Sequence, residues 1–154
     1  MDLHRDFRDL LLEFVREKVE FVLIGGYAVG RYTKPRATKD LDLLVGGSAT
    51  NLERVARALE RFGAPKDVVA HARTLGVDEV LYLGHDPVRI DVLCRADGID
   101  TQATIARAIH ATIGELTIPI ISLDDLIANK RASGRPQDLA DLALLEKARR
   151  HPRN

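Results

Sequence analysis

Val22-Leu23-Ile24-Gly25-Gly26-Tyr27-Ala28-Val29-Gly30 is followed, after a short gap, by Pro35-Arg36-Ala37-Thr38-Lys39-Asp40-Leu41-Asp42-Leu43-Leu44-Val45. An apolar, strand-like run stops at two glycines, and a second such run opens with two acids one residue apart. Strand side chains alternate faces, so Asp40 and Asp42 project from one side while Leu41 and Leu43 point to the other. At twice the strand rise their Cα atoms lie about 7 Å apart. Two carboxylates so placed can converge on a hard divalent cation, which takes oxygen ligands. Glycines let backbone N–H groups come close to a phosphate. A phosphate cradle beside a pair of metal-binding acids suits phosphoryl or nucleotidyl transfer.

Working outward, Val88-Arg89-Ile90-Asp91-Val92-Leu93 places a third acid on a later strand, on the face opposite Ile90 and Val92. Asp91 reads either as part of a solvated strand face or as a third member of the cluster. Three clustered carboxylates repel one another unless a cation neutralises them, so convergence implies metal. Arg36 and Lys39 flank the acid pair and are candidates to neutralise phosphate charge, Arg36 before Lys39; the plain alternative is that both are solvated loop residues. Two other glycine motifs fail. Gly25 to Tyr32 approaches P-loop spacing, but Arg31 and Tyr32 replace the required Lys and Ser or Thr, and no G-x-G-x-x-G is present.

The rest of the chain alternates helices and strands. Leu3, Phe7, Leu10, Leu11, Phe14 and Val15 predict an amphipathic first helix. Thr50 to Glu53 reads as a capping box opening a helix that ends before Gly63. Residues 78–83 and 88–93 predict a hairpin. A weaker helix is expected over 101–111, and 116–121 reads as a fifth strand that tolerates Pro119 best at a sheet edge. Ser122 caps a helix reaching about Lys130, Gly134 breaks it, and Pro136 opens a last helix ending near Arg150. The expected architecture is α/β (α+β): a small mixed sheet of about five strands flanked by helices. Residues 1–150 are expected to form one domain, with 151–154 a disordered tail.

Composition narrows the class. The 154 residues include 45% hydrophobic and 30% charged side chains, with 23 basic and 23 acidic residues cancelling. Such balance gives no overall basicity pointing to nucleic acid, although a local basic face stays open. A single cysteine, Cys94, excludes an internal disulfide, fits a reducing compartment and reads as a small buried hydrophobe. No apolar stretch reaches the roughly 18 to 20 residues that span a bilayer, so no membrane partner is expected. The cytoplasm is the expected location. The five histidines show no metal-ligand spacing.

Together, Gly25-Gly26, Asp40-x-Asp42 and the later Asp91 resemble the nucleotidyltransferase fold of the DNA polymerase β superfamily, whose small bacterial members include abortive-infection type toxin transferases. Residues 121–130 and 134–142, Ile121 to Lys130 and Gly134 to Leu142, are similar to the second block of such proteins. The resemblance spans Phe21 to Leu145. It implies that Gly25 and Gly26 hold nucleotide phosphates, that Asp40 and Asp42 bind two Mg²⁺ (or Mn²⁺) ions, and that Asp91 completes the site and helps activate the attacking hydroxyl. It further implies that Lys130 reaches the triphosphate as a point charge. Many members carry Gly-Ser where this chain has Gly-Gly, which removes one hydroxyl contact to phosphate.

The implied activity is metal-dependent transfer of a nucleoside monophosphate from an NTP to an acceptor hydroxyl on tRNA, a partner protein or a small molecule, with a toxin–antitoxin role open. The competing reading is a non-catalytic nucleotide-binding or interaction module on the same fold. For Lys130 two expectations compete. In one it is exposed to the cleft and dispensable for stability; in the other it pairs with Asp138 or Asp141 across the Gly134 turn. Arg131 and Arg135 are the alternative partners for those two acids, as scaffold.

Overall fold

Four consecutive apolar residues, Phe21–Ile24, form a strand (β1) buried along its whole length, as a central strand covered on both faces must be. The chain is described here by a computed structural model covering residues 3–35, 40–85 and 88–152. Around β1 run α1 (Arg5–Arg16), α2 (Gly25–Tyr32), β2 (Asp40–Val45), α3 (Ala49–Phe62), α4 (Lys66–Arg73), β3 (Val80–His85), β4 (Val88–Leu93), α5 (Thr101–Ala106), β5 (Ile109–Ile113), β6 (Leu116–Ile120), α6 (Leu123–Ser133) and α7 (Pro136–Arg150).

The strands form one mixed sheet in the order β3-β4-β2-β1-β6-β5. β2 runs antiparallel to β1 and parallel to β4, β1 pairs parallel with β6, and the outer pairs β3–β4 and β5–β6 are antiparallel. Helix α1 buries Phe7, Leu10, Leu11 and Phe14 of the expected stripe, while Val15 is exposed and Leu3 precedes the helix, and Phe14 meets Phe21 of β1 edge-on at 5.2 Å. Each such side chain contributes about 1.5–3 kcal/mol by leaving water. Cys94 lies buried in the same core.

Asn51 pins the far end of the antiparallel β1–β2 pair. Its Nδ2 donates to the carbonyls of Gly46 and Glu20, and its Oδ1 accepts from the Glu20 N–H at 2.7 Å. A fully buried amide keeps its place only when both of its ends are satisfied in this way.

The structure corrects several sequence expectations. Among the described residues six strands are present, not five, because 101–111 is not one helix. α5 stops at Ala106, and Ile109–Ile113 is a strand whose alternation buries Ala111 and Ile113. The two-residue Gly114-Glu115 turn, with Gly114 at φ +62, closes a hairpin onto β6. Pro119 therefore lies on an inner strand, between β1 and β5. The β1–β6 ladder is short, with the single register pair Leu23–Ile120 and an Ile121 N–H donating to the Leu23 carbonyl, so it asks little of a residue that has no N–H. The cap of α3 is Ser48, whose side chain accepts from the Asn51 N–H, rather than Thr50. Helix α4 fills 66–73, where the sequence pattern predicts no element. The predicted caps at Ser122 and Gly134 and the start at Pro136 are observed.

Candidate active site

Asp40 and Asp42 open β2, and the register across the sheet decides what faces them. Asp42 sits opposite Ile24 of β1 and opposite Asp91 of β4; Asp40 sits opposite Arg89. Strand parity puts all four polar side chains on one face, while Leu41, Leu43, Ile90 and Val92 on the other are buried in the core. Three acids and one arginine thus share a patch at the end of β1 where the chain turns into α2.

Arg89 ties the acids together. Its Nη2 donates to Asp40 Oδ2 at 2.9 Å and to Asp91 Oδ2 at 3.3 Å, and its Nε donates to Asp91 Oδ1 at 3.0 Å. The guanidinium also lies 5.3 Å from the centre of the Tyr82 ring. Asp42 carries no such partner. Burial, and then the charges of Asp91 and Asp40, push its pKa up to about 7, while the Lys130 charge opposes the rise. Asp42 hydrogen-bonds to Asp91, as one carboxyl of a crowded pair does when it keeps its proton. Burial raises Asp91 as well, against the counteracting Arg89 hydrogen bonds and charge.

The glycine pair is not a free-standing turn. Helix α2 begins at Gly25 itself, so Gly25 and Gly26 form its first turn, where backbone N–H groups have no intrahelical acceptor. Gly25 holds φ +74, and a Cβ there would collide with the Asp42 carboxylate. Only glycine lets the helix start this close to the acids. Farther along α2, Tyr32 donates its hydroxyl to the Ile121 carbonyl at 2.8 Å, fixing the helix against the end of β6.

Behind the acids, Lys130 of α6 is buried, not exposed to a cleft. Its Nζ lies 3.2 Å from Asp138 Oδ1 and 3.2 Å from Asp141 Oδ2, both on α7. Asp138 also accepts from Ser133 at 2.9 Å and from Arg135 Nε at 2.8 Å. Burial alone would raise the Asp138 pKa, but the hydrogen bonds from Arg135, Ser133 and Lys130 bring it down to about 2. The expectation of an exposed Lys130 is thereby corrected: a flexible stem ends between two buried carboxylates, and its charge is felt at Asp42 from there. Arg36 and Lys39 lie outside the described residues.

Reading single residues missed Arg89. The signal was present, since Arg89 precedes Asp91 by two positions and so shares its strand face. A separate groove of about 730 Å³ runs along the C-terminal parts of α2 and α7, with Arg31, Lys34, Lys147 and Arg149 among its lining residues. The acids do not line it.

The residues present fit a hard divalent cation in their chemistry. The donors are all carboxylate oxygens, they repel one another, and Asp40 Oδ1 is buried without a hydrogen-bond partner. No three His, Cys, Asp or Glu side chains among the described residues are already set around a common metal position. Arg89 supplies positive charge at that place instead.

The fold recurs in solved structures. The lincosamide antibiotic adenylyltransferase LnuA, bound to lincomycin, superposes with a TM-score of 0.63 at 17% identity, covering 95% of this chain and 98% of that one. The antibiotic-resistance factor ANT(2'')-Ia gives 0.60 at 16% identity, over 93% of this chain and 82% of that one. TM1012 from Thermotoga maritima gives 0.59 at 15% identity, over 95% and 89%. At these identities the likeness is one of fold. No curated protein matches the sequence. Among the described residues no helix is long and apolar enough to cross a membrane. The family described as "Nucleotidyl transferase AbiEii toxin, Type IV TA system" matches residues 9–154, so nearly the whole chain is accounted for, and the protein belongs to that family of nucleotidyltransferase toxins.

Proposed function

We propose that the protein is a metal-dependent nucleotidyltransferase that moves a nucleoside monophosphate from an NTP to an acceptor hydroxyl. The observation that carries this reading is the meeting of Asp40, Asp42 and Asp91 on one sheet face beside the first turn of α2. In it, the three acids hold Mg²⁺ or Mn²⁺, which when bound stabilises charge on the attacking and leaving oxygens of an in-line displacement. Gly25 and Gly26 turn their free N–H groups toward the nucleotide phosphates. Asp91 orients the attacking hydroxyl. Lys130 adds a fixed positive charge behind Asp42, held in place by Asp138 and Asp141. Arg36 follows α2 in sequence and completes the phosphate contacts.

The acceptor best supported is tRNA. The groove lined by Arg31, Lys34, Lys147 and Arg149 complements a phosphodiester chain, which a neutral small molecule does not require. The activity belongs to a toxin acting in the cytoplasm.

One observation favours the second reading, a nucleotide-binding module without turnover: Arg89 already neutralises two of the three acids. A single experiment separates the two. The protein is incubated with each of four α-³²P-labelled NTPs, Mg²⁺ and total cellular RNA or protein, beside an Asp42→Asn control. Label in the tRNA fraction that needs Asp42 supports transfer. Nucleotide binding with no label in any fraction leaves only the module.

A further inference from the structure

The Arg89 guanidinium occupies the place where positive charge is needed most. It bridges two strands, reaching Asp40 of β2 and Asp91 of β4 at 2.9 and 3.0 Å. The carboxylate oxygens it uses are among those a hard cation would take. It satisfies the cluster incompletely, since Asp40 Oδ1 stays buried with no hydrogen-bond partner. The side chain is also able to leave. It is 36% exposed, and the Tyr82 ring beside it is exposed on the outer strand β3. That ring already lies 5.3 Å from the guanidinium, a cation–π contact that does not depend on the acids.

We propose that Arg89 is an internal counter-cation. It keeps the three acids assembled in the unloaded protein and yields Asp40 and Asp91 to an incoming divalent cation. Arg89 is thus a positioning residue that competes with metal for the same oxygens. A planar fork suits this work better than an ammonium, because it can bond two carboxylates on separate strands at once. Its removal leaves the acids uncompensated, which destabilises the unloaded fold and sharpens the site's appetite for cations. The proposal rests on the reading of Asp40, Asp42 and Asp91 as a divalent-cation site, and the test distinguishes failure of one from failure of the other.

The test titrates Mn²⁺ alone, by calorimetry, into the full chain as wild type, Arg89→Gln, Arg89→Lys and Asp91→Asn, with melting temperatures taken in EDTA and in Mn²⁺. Arg89→Gln is expected to melt lower in EDTA, to regain most of that loss in Mn²⁺, and to bind Mn²⁺ about tenfold tighter or more. That factor corresponds to sparing the metal the displacement of one charge-assisted hydrogen bond. Arg89→Lys, which keeps the charge but not the bridge, should fall between, and it carries the comparison if the Gln variant does not fold.

Mn²⁺ affinity that is unchanged or weaker in both Arg89 variants, but lost in Asp91→Asn, overturns the counter-cation role and leaves the metal site standing. Mn²⁺ binding that is the same in wild type and Asp91→Asn, or absent from wild type and the Arg89 variants alike, overturns the metal site and the proposal with it.

Discussion

Asp42 of β2 and Asp91 of β4 stand opposite each other in a parallel ladder, and the two carboxyls share a hydrogen bond. Residues 49 apart in sequence are thereby joined by one register choice. A shift of that register by one residue would send one of the two into the apolar core.

The first prediction follows from Asp42. Its carboxyl rises from 3.8 to about 7 on folding, through burial and then the charges of Asp91 and Asp40. A raised folded pKa means that the native state holds the proton more tightly than the unfolded chain. The associated stability is present below pH 3.8 and is lost as pH rises through 7. In EDTA the melting temperature should fall between pH 5 and pH 8, and Asp42→Asn should flatten that fall. Parallel pH profiles for the two proteins would sink the assignment.

Metal and nucleotide should act together. Mg²⁺ with NTP should raise the melting temperature more than either alone, because ligand that binds only the native state stabilises it and the triphosphate supplies further oxygen ligands. The Asp40→Asn, Asp42→Asn double variant should lose that extra rise. An equal shift in the double variant would place the ligand elsewhere.

Lys130 should matter to stability. Removing it leaves Asp138 and Asp141 buried without the ammonium between them. Breaking a buried pair on one side costs about 3–5 kcal/mol, although the remaining partners of Asp138, Arg135 and Ser133, favour the lower end of that range. Urea unfolding of Lys130→Ala checks this, and a change of less than about 0.5 kcal/mol, typical of an exposed side chain, contradicts it. Asp138 falls from 3.8 to about 2 in the folded chain, so its stability contribution is present above pH 3.8 and is lost as pH drops toward 2.

Gly25→Ala should damage the fold and the site at once. The added Cβ meets the Asp42 carboxylate, and alanine is strained at φ +74. Strain of this kind costs about 1–3 kcal/mol. Thermal unfolding should show that loss, and Mn²⁺ titration should show weakened binding as Asp42 is pushed aside. Wild-type metal affinity in Gly25→Ala would mean that Asp42 tolerates displacement.

Much of this was written along the chain. Period-two alternation put Asp40 and Asp42 on one face, and the same rule applied to Val88–Leu93 put Asp91 opposite its apolar neighbours. Caps and breakers at Ser122, Gly134 and Pro136 marked helix limits because their effects are local: a side-chain acceptor, a left-handed φ, a missing N–H. Where local signals were weak the reading failed. Ile109–Ile113 offers five residues of mixed propensity, and only pairing with β6 makes it a strand.

Tertiary structure alone decided the rest. Nothing in the order of residues states that β4 lies beside β2, so the meeting of Asp91 with Asp42 needed the sheet order. The same order turned Arg89 from a strand residue into the bridge between two acids. Lys130 differs in kind. Its neighbours Asp138 and Asp141 were visible eight and eleven positions away, but whether an ammonium faces water or two carboxylates depends on how α6 packs on α7. Sequence determines which faces are apolar and where the backbone turns; long-range packing determines which charges must share a space with little water, and in this protein that sharing makes the site.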